Sequence, residues 1–177
     1  MRNTIFAAAL LVFCSPLFAG NIVNGKNWSQ PNLFTGLSWN DISAVCNPDT
    51  GLCDGNLNGI DVTGKIWASV DEVNGLFNAF LPSAAQLGRG PGTASESNSG
   101  GAPEFHSSFA STLSYSSLRS VSGITRSLAP LRSAYHGTAQ HSFGDDINGA
   151  FTTALADTRD RSSPEIGVWL YATDPAP

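Results

Sequence analysis

Three groups of residues in this 177-residue chain have types and spacings suited to chemistry. Asp54-x-Asn56-x-Asn58-Gly59-Ile60 matches the first half of an EF-hand calcium loop. In such a loop, oxygen ligands at alternate positions point inward and a glycine permits the sharp turn. The second half departs from the pattern. Position 12, normally a bidentate carboxylate, is the cation Lys65, and Asp61 stands where an apolar residue anchors the loop. The same residues also read as an Asx-rich turn, with side chains bonding nearby backbone N–H groups. His136, His141, Asp145 and Asp146 lie close together and offer two imidazoles and two carboxylates to a metal. Five-residue spacing puts the two imidazoles on opposite faces of a strand and off a common helix face, so solvated histidines are the expectation. Ser, His and Asp are all present, but no Gly-x-Ser-x-Gly elbow nominates a nucleophile. Phosphate-loop and dinucleotide fingerprints are missing too. Among the four tryptophans, Trp39, Trp67 and Trp169 sit in apolar patterns and read as core. Trp28, between Asn27 and Ser29, is the best candidate for stacking on a sugar ring.

The third group is the cysteines. Residues 1–19 read as an export signal: Arg2, an apolar run from Ile5 to Phe13, Pro16, and a small residue at Ala19 before an expected cut at Gly20. A lipoprotein cut at Cys14 is the runner-up, although Phe13 precedes that Cys where a small residue is normal. Removing the leader leaves Cys46 and Cys53, and an oxidising compartment pairs them. The turn-rich Asn47–Leu52 returns the chain between them. Closing so short a loop is worth at most about 2.5 kcal/mol in the chain-entropy model.

Composition narrows the class further. Formal net charge is −5, and charged residues are 13% of the chain, about half the usual share. That balance argues against a nucleic-acid partner, which needs a basic surface to displace phosphate counterions. No run after the leader is long enough for a membrane span. The remaining length suits one exported domain over residues 20–177.

The elements that must position these groups are partly legible. Ser38 caps a helix that carries Asp41 in its first turn, with Trp39, Ile42 and Val45 on one face. Ser69-Val70-Asp71-Glu72 is a capping box, followed by Val70, Val73, Leu76, Phe77 and Phe80 at helical spacing up to Pro82. Residues 88–103, rich in Gly, Pro and Ser, read as a long flexible loop. From Glu104 to Gln140, apolar residues interleave with Ser and Thr, and Thr112–Ser116 alternate with period two, which suggests strands. Residues 146–157 are ambiguous between helix and strand. Ile166–Tyr171 is a continuous apolar run of strand length, expected to be one strand buried on both faces. The expected fold is α+β: two short helices packed on a mostly antiparallel sheet, with one disulfide and a long loop.

Two resemblances follow from these residues. Ser38-Trp39-x-Asp41, Cys46…Gly51-x-Cys53, Leu57-Asn58-Gly59-x-Asp61-x-Thr63-Gly64-x-x-Trp67-Ala68-Ser69-Val70-Asp71 and Ile166–Tyr171 resemble a group of exported proteins of Gram-negative bacteria. Many of that group carry a Pro-Glu-Pro-type C-terminal sorting tail, which Asp174–Pro177 does not match. The resemblance implies export and supplies no activity. The order of elements, from a Trp-led helix ending at a Cys to a Trp-containing last strand, resembles C-type-lectin-like domains, including the Lcl C-terminal type. Fold alone does not give function. Export, low charge and aromatic content together imply a secreted or periplasmic, non-catalytic binding or surface-interaction protein, with a glycan or matrix polymer as partner. A secreted hydrolase and a structural envelope component are the alternatives.

Overall fold

Both expected helix starts form as capping boxes. The hydroxyl of Ser38 accepts the Asp41 N–H while the Asp41 carboxylate accepts the Ser38 N–H, and Ser69 and Glu72 repeat the arrangement. A computed structural model describes residues 21–81, 83, 86–97, 101–114, 118–129, 134–142, 147–154 and 159–173. The expected leader, Asp145 and Asp146 lie outside these residues. Among the described residues the elements are β1 (Asn21–Val23), β2 (Lys26–Trp28), α1 (Trp39–Ser43), β3 (Asn56–Leu57), β4 (Ile60–Asp61), β5 (Ile66–Trp67) and α2 (Val70–Asn78). They continue with β6 (Gly92–Ser97), α3 (Gly101–Ser108), β7 (Leu113–Ser114), β8 (Leu118–Leu128), β9 (Ala134–Ser142), β10 (Ile147–Ala154), β11 (Gly167–Val168) and β12 (Leu170–Thr173). A 3-10 turn spans Pro31–Phe34.

The fold is α+β, and among the described residues the sheets are antiparallel except for one pairing. The first sheet has the order β1-β2-β12-β5. The second has the order β11-β8-β9-β10-β6, with β7 also on β8; only β11 runs parallel to its neighbour β8. β3 and β4 form a separate hairpin. No described helix is long and apolar enough to cross a membrane.

The apolar run near the chain end does not form one strand. It breaks at Trp169, with β11 in the second sheet and β12 in the first. Trp169 stands at the crossing and is fully buried. Its backbone N–H donates to Ile124 of β8, and its carbonyl accepts the Ala68 N–H. Its ring lies against a bay made by Gly123 and Gly137, which face each other across β8 and β9. A β-carbon on Gly123 would fall 2.8 Å from the Trp169 ring, and one on Gly137 3.2 Å from its indole nitrogen. A run buried on all sides satisfies the hydrophobic pattern equally well in one sheet or two, which is why periodicity misses the break.

The expected loop over 88–103 is also corrected. Residues 92–97 form β6, paired along its length with β10, and α3 begins at Gly101. Ala94 is buried opposite Ala150, and Phe105 and Phe109 of the following segment enter the core. Small polar residues cannot hold a strand alone, but here β10 supplies the ladder from far away in sequence. Residues 98–100 lie outside the described set. The ambiguous stretch near 150 is β10, where pairing with both β9 and β6 overrides the helical spacing of its apolar residues.

Two aromatic clusters fill the interior. One gathers Trp28, Val73, Phe77, Phe105, Phe109 and Trp169; the other gathers Phe34, Trp39, Ile42, Trp67, Ile124 and Leu170 around the disulfide. Burying each large side chain is worth about 1.5–3 kcal/mol. Edge-on pairs such as Phe77–Trp169, centroids 5.7 Å apart, add about 0.5–1.5 kcal/mol.

Candidate functional site

Cys46 and Cys53 form the expected disulfide, and both are buried. The loop between them does structural work beyond closure. Its Pro48 and Asp49 carbonyls accept the guanidinium of Arg126, at 3.4 and 2.8 Å.

The residues nominated for calcium fold differently from a calcium loop. Asn56 and Asp61 are a cross-strand pair, and Asn58-Gly59 are the two central residues of the hairpin turn. Their φ values of 50° and 77° are both positive, as a type I′ turn requires. The Asn58 amide donates to the Thr35 carbonyl at 3.0 Å, and the Asp61 carboxylate accepts the Thr63 N–H at 2.9 Å. The Thr63 hydroxyl, together with that N–H, holds the Asp61 carboxyl below its ordinary range. Asp54, at the start of the motif, is exposed. The Asn-Gly hairpin signal therefore prevails over half of a metal motif.

Trp28 is not available for stacking. It is 1% exposed and packs on Trp169 and Tyr171, with centroids 6.2 and 5.1 Å away. Its polar neighbours misled because Asn27, the residue before it in β2, faces the other side, while Ser29, just past the strand, is polar yet buried. His136 and His141 both lie on β9, in register with Ile124 and Arg119 of β8. Burial pushes the His136 imidazole down. Among the described residues, no group of three or more His, Cys, Asp or Glu side chains is placed to hold a metal ion.

The structure instead concentrates polar groups along α2. Glu72 receives the Ser69 backbone N–H at 2.7 Å, the Ser69 hydroxyl at 2.8 Å, the Lys26 ammonium at 3.1 Å and the Tyr171 hydroxyl. Arg126 approaches at 3.8 Å, and the Lys26 ammonium sits 4.1 Å from the Tyr171 ring centroid. Burial alone would push the Glu72 carboxyl up, but these donors favour the charged form and bring it to about 2. Burial and the Glu72 carboxylate push the Tyr171 hydroxyl well above its ordinary value. A carboxyl held that low is ionised at neutral pH and cannot serve as a general acid there. Its role is to tie α2 to β2, β12 and, through Arg126, to the disulfide loop.

This cluster gives a pH prediction. The ordinary Glu value is 4.5 and the folded value is about 2. The stabilisation is therefore complete above pH 4.5 and is lost as pH falls from 4.5 through 2. After allowance for partial exposure it amounts to roughly 2 kcal/mol. Glu72→Gln should lower the urea midpoint at pH 7 and flatten its acid dependence below pH 4.5. An acid slope unchanged from wild type would refute the assignment.

Beyond Glu72, the outer face of α2 borders a cleft of about 630 Å³, lined by Asp71, Asn74, Asn78, Leu87 and Arg89 among others. Its opposite wall is stitched to the helix. The Asn74 amide donates to the Gly88 and Gly90 carbonyls at 2.9 and 2.7 Å, and its oxygen accepts the Thr152 hydroxyl at 3.0 Å. Asn78 exchanges two hydrogen bonds with the Leu87 backbone, at 2.8 and 2.7 Å, and Asp71 accepts the Gly90 N–H at 2.6 Å. Asp71 and Arg89 remain exposed at the rim. Such a wall is pre-organised: its side chains lose little freedom when a ligand arrives. Sequence reasoning missed this site because it assigned Asp71 and Glu72 to capping. The available signal was Asn74, Gly75 and Asn78, three poor helix formers on the polar side of a strongly capped helix.

No protein-family model matches this chain, and neither a curated protein nor a solved structure does.

Proposed function

We propose that the chain is an exported protein, secreted or periplasmic, that binds a glycan or other extracellular polymer without turning it over, and that the cleft along α2 is its binding face. The observation that carries this reading is the cleft itself. A concave cleft of about 630 Å³ has amide, carboxylate and guanidinium groups at its edge and walls held by their own hydrogen bonds. Hydroxyl-rich ligands are recognised by fixed polar groups of this kind beside short apolar surfaces, here Leu87. The likeness of element order to lectin-like domains agrees with the reading, and the signal-like leader supports export.

The test is a glycan array followed by titration calorimetry, comparing wild type with the double variant Asp71→Asn/Arg89→Ala. Binding to one polymer class, weakened at least tenfold in the variant, with the polymer recovered intact, is the expected result. Release of shortened products would favour a hydrolase. Absence of binding together with self-assembly of the purified protein would favour a structural matrix component.

A further inference from the structure

Gly75 lies in the middle of α2, where glycine is the weakest helix former after proline. Its backbone is not in the left-handed region, and a β-carbon added there would meet no described atom within 4 Å. Neither conformation nor packing within the chain requires a glycine here. This contrasts with Gly123, where the Trp169 ring occupies the place of a side chain, and with Gly137, where Val73 does so with the Trp169 ring beside it.

What Gly75 does border is open space on two sides. It lines the cleft of about 630 Å³ and also a second cavity of about 240 Å³, lined by Asn24, Lys26, Trp28 and Leu76 among others. Asp71 and Gly75 are the residues common to both. The tip of the β1–β2 hairpin reaches the same point, where the Asn24 amide donates to the Gly75 carbonyl at 3.0 Å. Trp28, whose indole N–H has no hydrogen-bond partner among the described residues, belongs to the second cavity. The two hollows therefore flank the same point of the helix, Gly75, which carries no side chain.

We infer that Gly75 is a pass over which one extended, uncharged, polyhydroxylated polymer crosses α2, occupying both cavities at once. This deepens the function proposed above and rests on it. The missing side chain lets the ligand approach the helix backbone. The charges select a neutral chain: exposed Asp71 at the pass and exposed Arg89 at the rim of the larger cleft offset one another, Lys26 is committed to Glu72 at 3.1 Å, and the formal net charge of −5 repels polyanions. Polar groups lie on both sides of the pass, with Asn74, Asn78 and Arg89 toward the larger cavity and Asn24 toward the smaller, which suits the hydroxyls of sugar rings joined in a line.

The experiment titrates the full chain with linear neutral hexasaccharides (β-1,4-glucohexaose, chitohexaose and α-1,4-glucohexaose), their trisaccharides and a hexauronate, using wild type, Gly75→Ala and Gly75→Ser. A neutral hexasaccharide should bind at least tenfold more tightly than its trisaccharide. Gly75→Ala should reduce the hexasaccharide to the affinity of the trisaccharide, leave the trisaccharide unchanged, and keep or raise the thermal midpoint. Opposite movement of stability and affinity separates a ligand pass from a structural glycine, which would move both downward. Hexasaccharide binding by both variants at wild-type affinity overturns the pass while the cleft remains a binding site. Preference for the hexauronate overturns the neutral assignment. Absence of binding by every saccharide to wild type overturns the proposed function with it.

Discussion

Trp169→Ala is expected to destabilise the protein by about 5 kcal/mol, the upper end for loss of a buried tryptophan. Three features place it there. The ring is fully buried and meets Trp28, Phe77, Phe105 and Phe109. Its far side rests on the backbone of Gly123 and Gly137, which have no side chains to relax into the vacated space. Its indole N–H donates to the Gly137 carbonyl at 2.9 Å, so truncation also removes a buried hydrogen bond worth about 0.5–1.5 kcal/mol. Because domains of this size are stable by about 5–15 kcal/mol, the variant should be largely unfolded or close to it. Trp169→Phe keeps most of the packing and loses the hydrogen bond, so it should fall between wild type and the alanine variant. Urea denaturation followed by circular dichroism measures both. A loss under 2 kcal/mol for the alanine variant would mean that the second sheet does not depend on this ring.

Gly167→Ala is the second large effect, through excess rather than loss. A β-carbon at 167 would lie 1.9 Å from the Pro31 carbonyl oxygen and 2.5 Å from its carbon. Both atoms belong to backbone, so no rotamer change relieves the overlap. Either β11 must leave β8, where Gly167 pairs with Gly123, or the Pro31–Phe34 turn must move and carry the buried Phe34 with it. Overpacking of this kind costs about 3 kcal/mol. Gly88→Ala is the matched control. A β-carbon there meets no described atom within 4 Å, so its stability should stay within about 0.5 kcal/mol of wild type. Equal midpoints for Gly167→Ala and Gly88→Ala would contradict the close approach.

What could be read from the sequence divides along the range of the interaction. The caps at Ser38 and Ser69 are contacts within four residues, and both form as expected. The Cys46–Cys53 pairing needed only an oxidising setting and a turn. The apolar face of α2 is periodic, and Val70, Val73, Leu76 and Phe77 are buried. The misreadings share another origin. β6 exists because β10 lies beside it, and the break at Trp169 exists because two sheets compete for one run. Neither partner is visible in a local window. Trp28 was misjudged from its polar neighbours, of which a strand places Asn27 on the opposite face and the fold buries Ser29. The hairpin at Asn58-Gly59 carried its own turn signature, which the calcium motif overlapped. The cleft was hardest to see. Its walls come from α2 and residues 87–90, and only the surplus of Asn and Gly in a capped helix marked it.

The segment through Trp169 also bears on the order in which the molecule can assemble. β12 lies between β2 and β5, so in the first sheet the earliest strands have no direct ladder to β5 until the last one arrives. β11 completes one edge of the second sheet at the same moment. A nascent chain leaving the ribosome, or threading a pore, can build its hairpins and helices early but cannot close either sheet until residues 167–173 have emerged. Such high contact order slows folding. Slow closure keeps the chain open for longer than its local caps and hairpin turns would suggest.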